Sequence, residues 1–431
     1  MSSIFRLRPL LAILLICSYI ILTAGDVVSA ETVDLSAITA ASYVLMDADS
    51  GKVLQARLPE QELPPASTTK LMTLVLALEA TEQGKVHKSD LVTASEKASR
   101  MDGSRIYLEN GEKMSLDDLL KSMALASAND ASVAVAEEIS GSEEKFVAQM
   151  NAKAKKIGMK NSHFENASGM PADDHYSSAY DLALLARYAI GNTDILSYSS
   201  LKQYTLRDGT FPIYNGNKLL WYYEGADGLK NGYTSAAKNC LIATAKRGRL
   251  RLIVVVLGCS MKGSQTSDAA SLLDYGFENY VAANLLPRQN VCGTVKIKAG
   301  AAKQVEAIIS DELNAIYDRN QGMHFTRRPI LPDSIEAPIK KGQKLGTMQV
   351  FADGQLLKTV DLIAAADVTR LSLPQRIVHI HWGFKLIFLL FLLTVFLFYC
   401  RYRIHKNGGS WNKPKTRRRY RYNGSRDYYR Y

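Results

Sequence analysis

The 431-residue sequence predicts an α+β fold: an antiparallel sheet with helices packed on it, then a small all-β domain and a C-terminal transmembrane helix. Three observations lead there. Strand-like runs open and close the first 285 residues, with helical runs between them, the pattern of a sheet covered by helices. Near residue 286 the composition shifts to short strands separated by turn residues. Trp382–Cys400 then reads WGFKLIFLLFLLTVFLFYC, long and apolar enough to span a bilayer.

The elements follow in order. Arg6 and Arg8 precede the apolar run Leu10–Ile21, and Val28-Ser29-Ala30 supplies small residues, so residues 1–30 read as a secretory signal cleaved after Ala30. Residues 41–57 form a hairpin about Asp49-Ser50-Gly51. Pro64 and Pro65 block helix, and Leu71, Leu74, Val75 and Leu78 then recur at helical spacing, which places Ser67 at a helix start. Residues 115–140 read as two helices joined at Ser127-Ala128-Asn129, and residues 178–190 as another. Two apolar strands within 241–258 flank the basic turn KRGRLR, and a helix is expected over 265–283. These elements make up one domain, 31–285.

The β domain is expected over 286–367, where Asp353-Gly354 between alternating runs signals a hairpin. Residues 368–381 link it to the transmembrane helix, 382–400. Lys385 sits near one end of that helix, where it can snorkel, and Trp382, Tyr399 and Tyr402 fall at the interfaces. The tail 401–431 is rich in Arg, Tyr, Lys and Asn and is expected to be disordered. By the positive-inside rule it is cytoplasmic and the folded domains are outside.

Charge narrows the function. The net charge is +11, but residues 401–431 hold 11 Lys/Arg against Asp427, while 31–400 balances 40 basic with 40 acidic residues. The folded domains therefore have no electrostatic case for nucleic acid. No Cys/His spacing points to a metal, and no cofactor is expected. Cys240, Cys259 and Cys292 read as buried free thiols, with Cys240 facing a position near Val255.

Three short motifs carry chemistry. In Ser67-Thr68-Thr69-Lys70 the lysine lies one turn from the serine on the same helix face. A serine hydroxyl needs a base, and a lysine serves once burial and neighbouring cations keep it neutral. Taken singly, a Ser and a Lys three apart mean little, since an N-cap serine and a surface lysine give the same text. Ser127-Ala128-Asn129 sits on a tight link between helices; Asn129 there is equally suited to capping the helix that begins at Asp130. Lys230-Asn231-Gly232-Tyr233-Thr234 is a strand in which glycine admits close approach of another backbone, and a surface hairpin is its plain alternative. It is the ordered set that gives each motif weight.

The runs PPASTTKLMT, SANDAS, DDHYSSAYDLALLARYA and DGLKNGYTSAAKNCLIATA together resemble the D-alanyl-D-alanine carboxypeptidases, the low-molecular-mass penicillin-binding proteins. The likeness covers about 33–285 and continues over 291–367, where APIKKGQKLGTMQVFADGQLL is similar to the family's C-terminal β domain. It implies a penicillin-binding/β-lactamase-like catalytic domain and an extracytoplasmic serine peptidase that removes the terminal D-alanine from wall peptides. The implied partners are a peptidoglycan peptide ending in D-Ala-D-Ala, β-lactams as covalent inhibitors, and the membrane through the C-terminal helix. By position, Ser67 corresponds to the acylated serine, Lys70 to the base, Ser127 to the proton relay, Asn129 to a substrate clamp and Lys230 to the third-motif lysine. The amides of Ser67 and Tyr233 correspond to the oxyanion hole, with Asn231 and Gly232 beside it, and Arg251 to the arginine for the substrate carboxylate. Asn231 departs from the Thr or Ser usual at its position. It keeps a second reading open, a weakened or silent wall-peptide binder. A β-lactamase is the third reading; around Glu165-Asn166 the Glu-x-x-Leu-Asn pattern it would need is missing.

Overall fold

The computed structural model describes residues 34–372 and 382–406. The expected signal peptide, the linker from 373 to 381 and the tail from 407 lie outside the described residues. Two compact units divide the chain. One holds the residues up to Arg288 with Asp311–Arg328 and Gln349–Thr359; the other holds Gln289–Ser310, Pro329–Met348 and the residues from Val360.

The first unit is built on an antiparallel sheet of β1 (Ser42–Asp47), β2 (Val53–Arg57), β3 (Ala226–Thr234), β4 (Lys238–Arg247) and β5 (Leu250–Cys259) in the order β2-β1-β5-β4-β3. β1 is buried along its whole length because both faces of the sheet are covered. Val44 and Met46 join Ile253 and Val255 in a core beneath α1 (Lys70–Glu82), α2 (Leu116–Leu125), α3 (Asn129–Ser140), α4 (Glu143–Ile157) and α5 (Ala179–Asn192). Leu45, Leu252 and Val254 pack on the other face against Leu272 and Leu273 of α6 (Ser264–Asn279). β3 ends the sheet, so one side of its backbone is open to an added strand.

The predicted hairpins and helices appear where the spacing puts them, with local differences. α6 stops at Asn279 rather than 283, because Tyr280–Leu286 pairs antiparallel with Leu313–Asp318, a partner remote in sequence. Asn239 pairs with Cys259 and Leu241 with Val256, so Cys240 faces the bulged residues between them and not Val255. Cys240 and Cys259 are buried and unbridged, whereas Cys292 is half-buried instead of buried.

In the second unit Val291–Lys298 pairs antiparallel with Gln304–Ile309, which pairs with the end of Gln355–Ala364, and Ser334–Glu336 runs parallel to Val291–Lys298. Val368 is buried and bridges to Ile339. The Asp353-Gly354 turn, which belongs to the first unit, has both residues at positive φ, as a two-residue hairpin requires. A helix over Trp382–Lys406 has the length and composition to cross a membrane. It runs six residues into the expected tail, where Arg403, His405 and Lys406 complement its C-terminal dipole.

Candidate active site

Ser67 lies in a 3-10 turn, Ala66–Thr69, that runs straight into α1. Side chains three apart eclipse in a 3-10 turn, and this stacks Lys70 against Ser67. Ala66, just before the serine, is held at φ 48, a left-handed conformation uncommon for alanine. Gly169 lies against it: a Cβ there would meet the Ala66 carbonyl oxygen at 2.0 Å.

Lys70 is fully buried, and its Nζ has three partners. It lies 3.1 Å from Ser67 Oγ, 2.6 Å from Asn129 Oδ1 and 2.6 Å from the Ser168 carbonyl. Burial pushes its pKa well down, the Lys230 charge pushes it further, and Asp130 opposes both. A neutral amine has two N–H bonds and one lone pair. Asn129 Oδ1 and the Ser168 carbonyl can only accept, so they take both N–H bonds and leave the lone pair facing Ser67. The remaining direction on Nζ is thereby aimed at Ser67 Oγ.

Asn129 does not cap a helix. The N-cap of α3 is Ala128, and no side chain bonds there. The Asn129 amide donates instead to the Asp102 carbonyl at 2.6 Å, so both ends of the side chain are occupied within the protein. Ser127 precedes it at φ 59, half-buried, and its hydroxyl has no side-chain partner among the described residues.

β3 forms the facing wall. A Cβ on Gly232 would sit 2.8 Å from the Ser67 amide nitrogen and 3.0 Å from that of Thr68. Glycine at this position is what lets the strand reach the Ser67 backbone. Lys230 is buried, donates to the Asn231 carbonyl at 2.8 Å, and has its pKa lowered by burial to about 7. The Asn231 amide packs on Gly216, where a Cβ would come within 2.7 Å of it. Tyr233 is exposed at the strand's edge.

Arg251 is not brought to this cluster. Its guanidinium forks onto the Asp227 carboxylate at 2.7 and 2.8 Å and donates to Thr244 Oγ1 at 3.0 Å. Asp227 is five residues before Gly232 on β3, about 16 Å at strand rise. The expectation that Arg251 meets the substrate carboxylate is replaced by a structural ion pair.

Sequence reasoning missed the loop beneath Lys70. Asn166 Oδ1 accepts from the amides of Ser168, Gly169 and Met170, and its Nδ2 donates to the Met170 carbonyl. Thr73 Oγ1 donates to the Ala167 carbonyl at 2.6 Å. His175 Nδ1 accepts from the Glu165 amide, so its Nε2–H donates to Thr69 Oγ1 at 2.9 Å. Burial, then the charges of His163 and Lys70, lower the His175 pKa to about 4 and keep the ring neutral. Asn-Ala-Ser-Gly is a turn signal, the one hint the sequence offered. Nearby, the ligand-capable atoms of His163, Glu165 and Asp174 lie within 4.8 Å of one another, with His163 Nδ1 taken by Asp174.

The chain is similar to known proteins along most of its length. A family profile described as D-alanyl-D-alanine carboxypeptidase matches residues 28–261, and one described as penicillin-binding protein 5, C-terminal domain, matches 280–370. The chain is 42% identical over 341 residues to the D-alanyl-D-alanine carboxypeptidase DacF of Bacillus subtilis, covering 77% of this chain and 86% of that protein. It resembles the solved structure of penicillin-binding protein 5 from Haemophilus influenzae with a TM-score of 0.65 and 32% identity, over 77% of this chain and 98% of that one. Penicillin-binding protein D2 from Listeria monocytogenes, solved in its ampicillin-bound form, matches with a TM-score of 0.52 and 30% identity, over 56% of this chain and 98% of that one. The fold, the ordered motifs and these matches agree: the chain belongs to the D-alanyl-D-alanine carboxypeptidase family.

Proposed function

We propose that this serine D-Ala-D-Ala carboxypeptidase trims the terminal D-alanine from wall peptides through an acyl-enzyme on Ser67, with Lys70 as base. The observation that carries the assignment of roles is the three-partner environment of the Lys70 amine. The peptide lies along the open side of β3 as an added strand, its scissile carbonyl between the Ser67 and Tyr233 amides. Lys70 takes the Ser67 proton as Oγ bonds to the carbonyl carbon. Collapse of the tetrahedral intermediate breaks the C–N bond, and the proton returns through Ser127 to the leaving D-alanine amine. Water then attacks the ester, Lys70 again serving as base, and the shortened peptide departs.

Asn129 acts mainly by holding Lys70: its Oδ1 accepts from the Lys70 amine while its amide nitrogen is tied to the Asp102 carbonyl. Lys230 and Asn231 face the substrate's terminal carboxylate. Asn231 fits beside Gly216 without displacing the strand, which favours an active enzyme over a silent binder. A β-lactam ring opens on the same serine. The loop under Lys70 presents a backbone carbonyl and not a carboxylate, and Glu165 is exposed, so the penicilloyl ester is released slowly. The catalytic domain, 31–285, and β domain, 286–367, stand outside the cell; the apolar helix anchors them in the membrane, and the basic tail lies in the cytoplasm.

Mass spectrometry of the products from a D-Ala-D-Ala pentapeptide tests this reading. Wild type releases one D-alanine and Ser67→Ala releases none. Unchanged release by Ser67→Ala would refute it.

A further inference from the structure

We infer that Asn166 is a positioning residue for the reaction: it shapes the 166–170 loop so that the Ser168 carbonyl saturates one N–H of Lys70. The inference rests on Ser67 and Lys70 being nucleophile and base. Its footing is local geometry. One side chain makes four hydrogen bonds to the backbone of residues 168–170, at 2.7 to 3.2 Å, and another to Ser168 Oγ. That turns the Ser168 carbonyl inward onto Lys70 and the Ala167 carbonyl onto Thr73. The Ala167 amide is fixed from the opposite side by Glu143.

The chemistry needs this acceptor. With the Ser168 carbonyl absent, a neutral Lys70 has one fixed N–H bond, to Asn129, and its lone pair is free to turn from Ser67. The loop also keeps water from the amine. Lys230 and Asp130 act on Lys70 from β3 and α3, and His175 lies at the loop's far side, accepting from the Glu165 amide. Burial is the largest cause of the lowered Lys70 pKa, so an opened loop raises it.

Acylation of the full-length enzyme by a fluorescent penicillin tests this, with the rate measured across pH 5–10 per mole of folded protein. Asn166→Ala is expected to acylate about 30-fold more slowly, with the acid limb of the profile moved up by about one pH unit. Asn166→Asp keeps the oxygen that accepts the three amides but loses the donor to the Met170 carbonyl, so it is expected to acylate faster than Asn166→Ala and more slowly than wild type. Thr73→Val, which frees the Ala167 carbonyl at nearly unchanged volume, shifts the limb the same way by less; it serves if Asn166→Ala does not fold. A wild-type rate, or a slower rate with an unmoved acid limb, in Asn166→Ala (or in Thr73→Val if that is the variant that folds) overturns the inference. Failure of the wild type to acylate would instead overturn the assignment of Ser67 and Lys70.

Discussion

Gly232 lies so close to Ser67 that a Cβ on it would come within 2.8 Å of the Ser67 amide nitrogen. The nearest atoms in the way are backbone, and they belong to the turn that presents Ser67. Gly232→Ala must therefore move either β3 or the serine. The expected result is a loss of about a hundredfold in kcat, the scale of losing one oxyanion donor. Pre-steady-state acylation by penicillin would show it. Wild-type kinetics in Gly232→Ala would mean that the strand and the turn are not in close register.

Asn231 and Gly216 form a second tight pair. Here the neighbour is the end of a flexible side chain, so Gly216→Ala displaces the Asn231 amide with little loss of stability. It should lower kcat/KM for the pentapeptide about tenfold, and adding Asn231→Thr should recover most of that, a coupling measurable as a double-mutant cycle. Independent, additive effects would separate the two residues.

Arg251 should matter to folding and not to turnover. Its pair with Asp227 is partly buried, with side chains 13% and 27% exposed. Arg251→Ala is expected to destabilise the fold by about 2 kcal/mol, read by urea titration, while kcat/KM changes less than about threefold. A large rise in KM at unchanged stability would return Arg251 to the substrate.

His175 makes stability depend on acid. Its folded pKa is about 4 against an ordinary 6.5, so between these values the unfolded chain binds more protons. Its contribution is intact above pH 6.5 and is lost as pH falls toward 4, amounting to about 3 kcal/mol. Urea titrations at pH 7.5 and 4.5 should show a larger acid loss for wild type than for His175→Gln. Equal losses would assign the acid sensitivity to other groups.

The residues of the proposed site were legible in the sequence because they sit in contiguous runs: Ser67 to Lys70, Ser127 to Asn129, Lys230 to Tyr233. The sequence did not reveal Arg251's partner, because Asp227 reaches it only through the β3-β4-β5 register. Nor did it reveal Ser168, because the acting atom is a backbone carbonyl, which every residue has. The end of α6 at Asn279 was hidden for a related reason: the strand that captures Tyr280–Leu286 begins at Leu313. Side-chain chemistry can be read from sequence; contacts set by register and backbone direction need the fold.

The central claim is that Lys70 delivers its lone pair to Ser67. Intact-mass and peptide mapping of protein treated with benzylpenicillin, comparing wild type with Lys70→Met, test it most directly. The account predicts a single adduct on Ser67 in the wild type and acylation at least a thousandfold slower in Lys70→Met, in line with losing an activating base. An adduct on another serine, such as Ser127, or acylation of Lys70→Met at the wild-type rate, would contradict it.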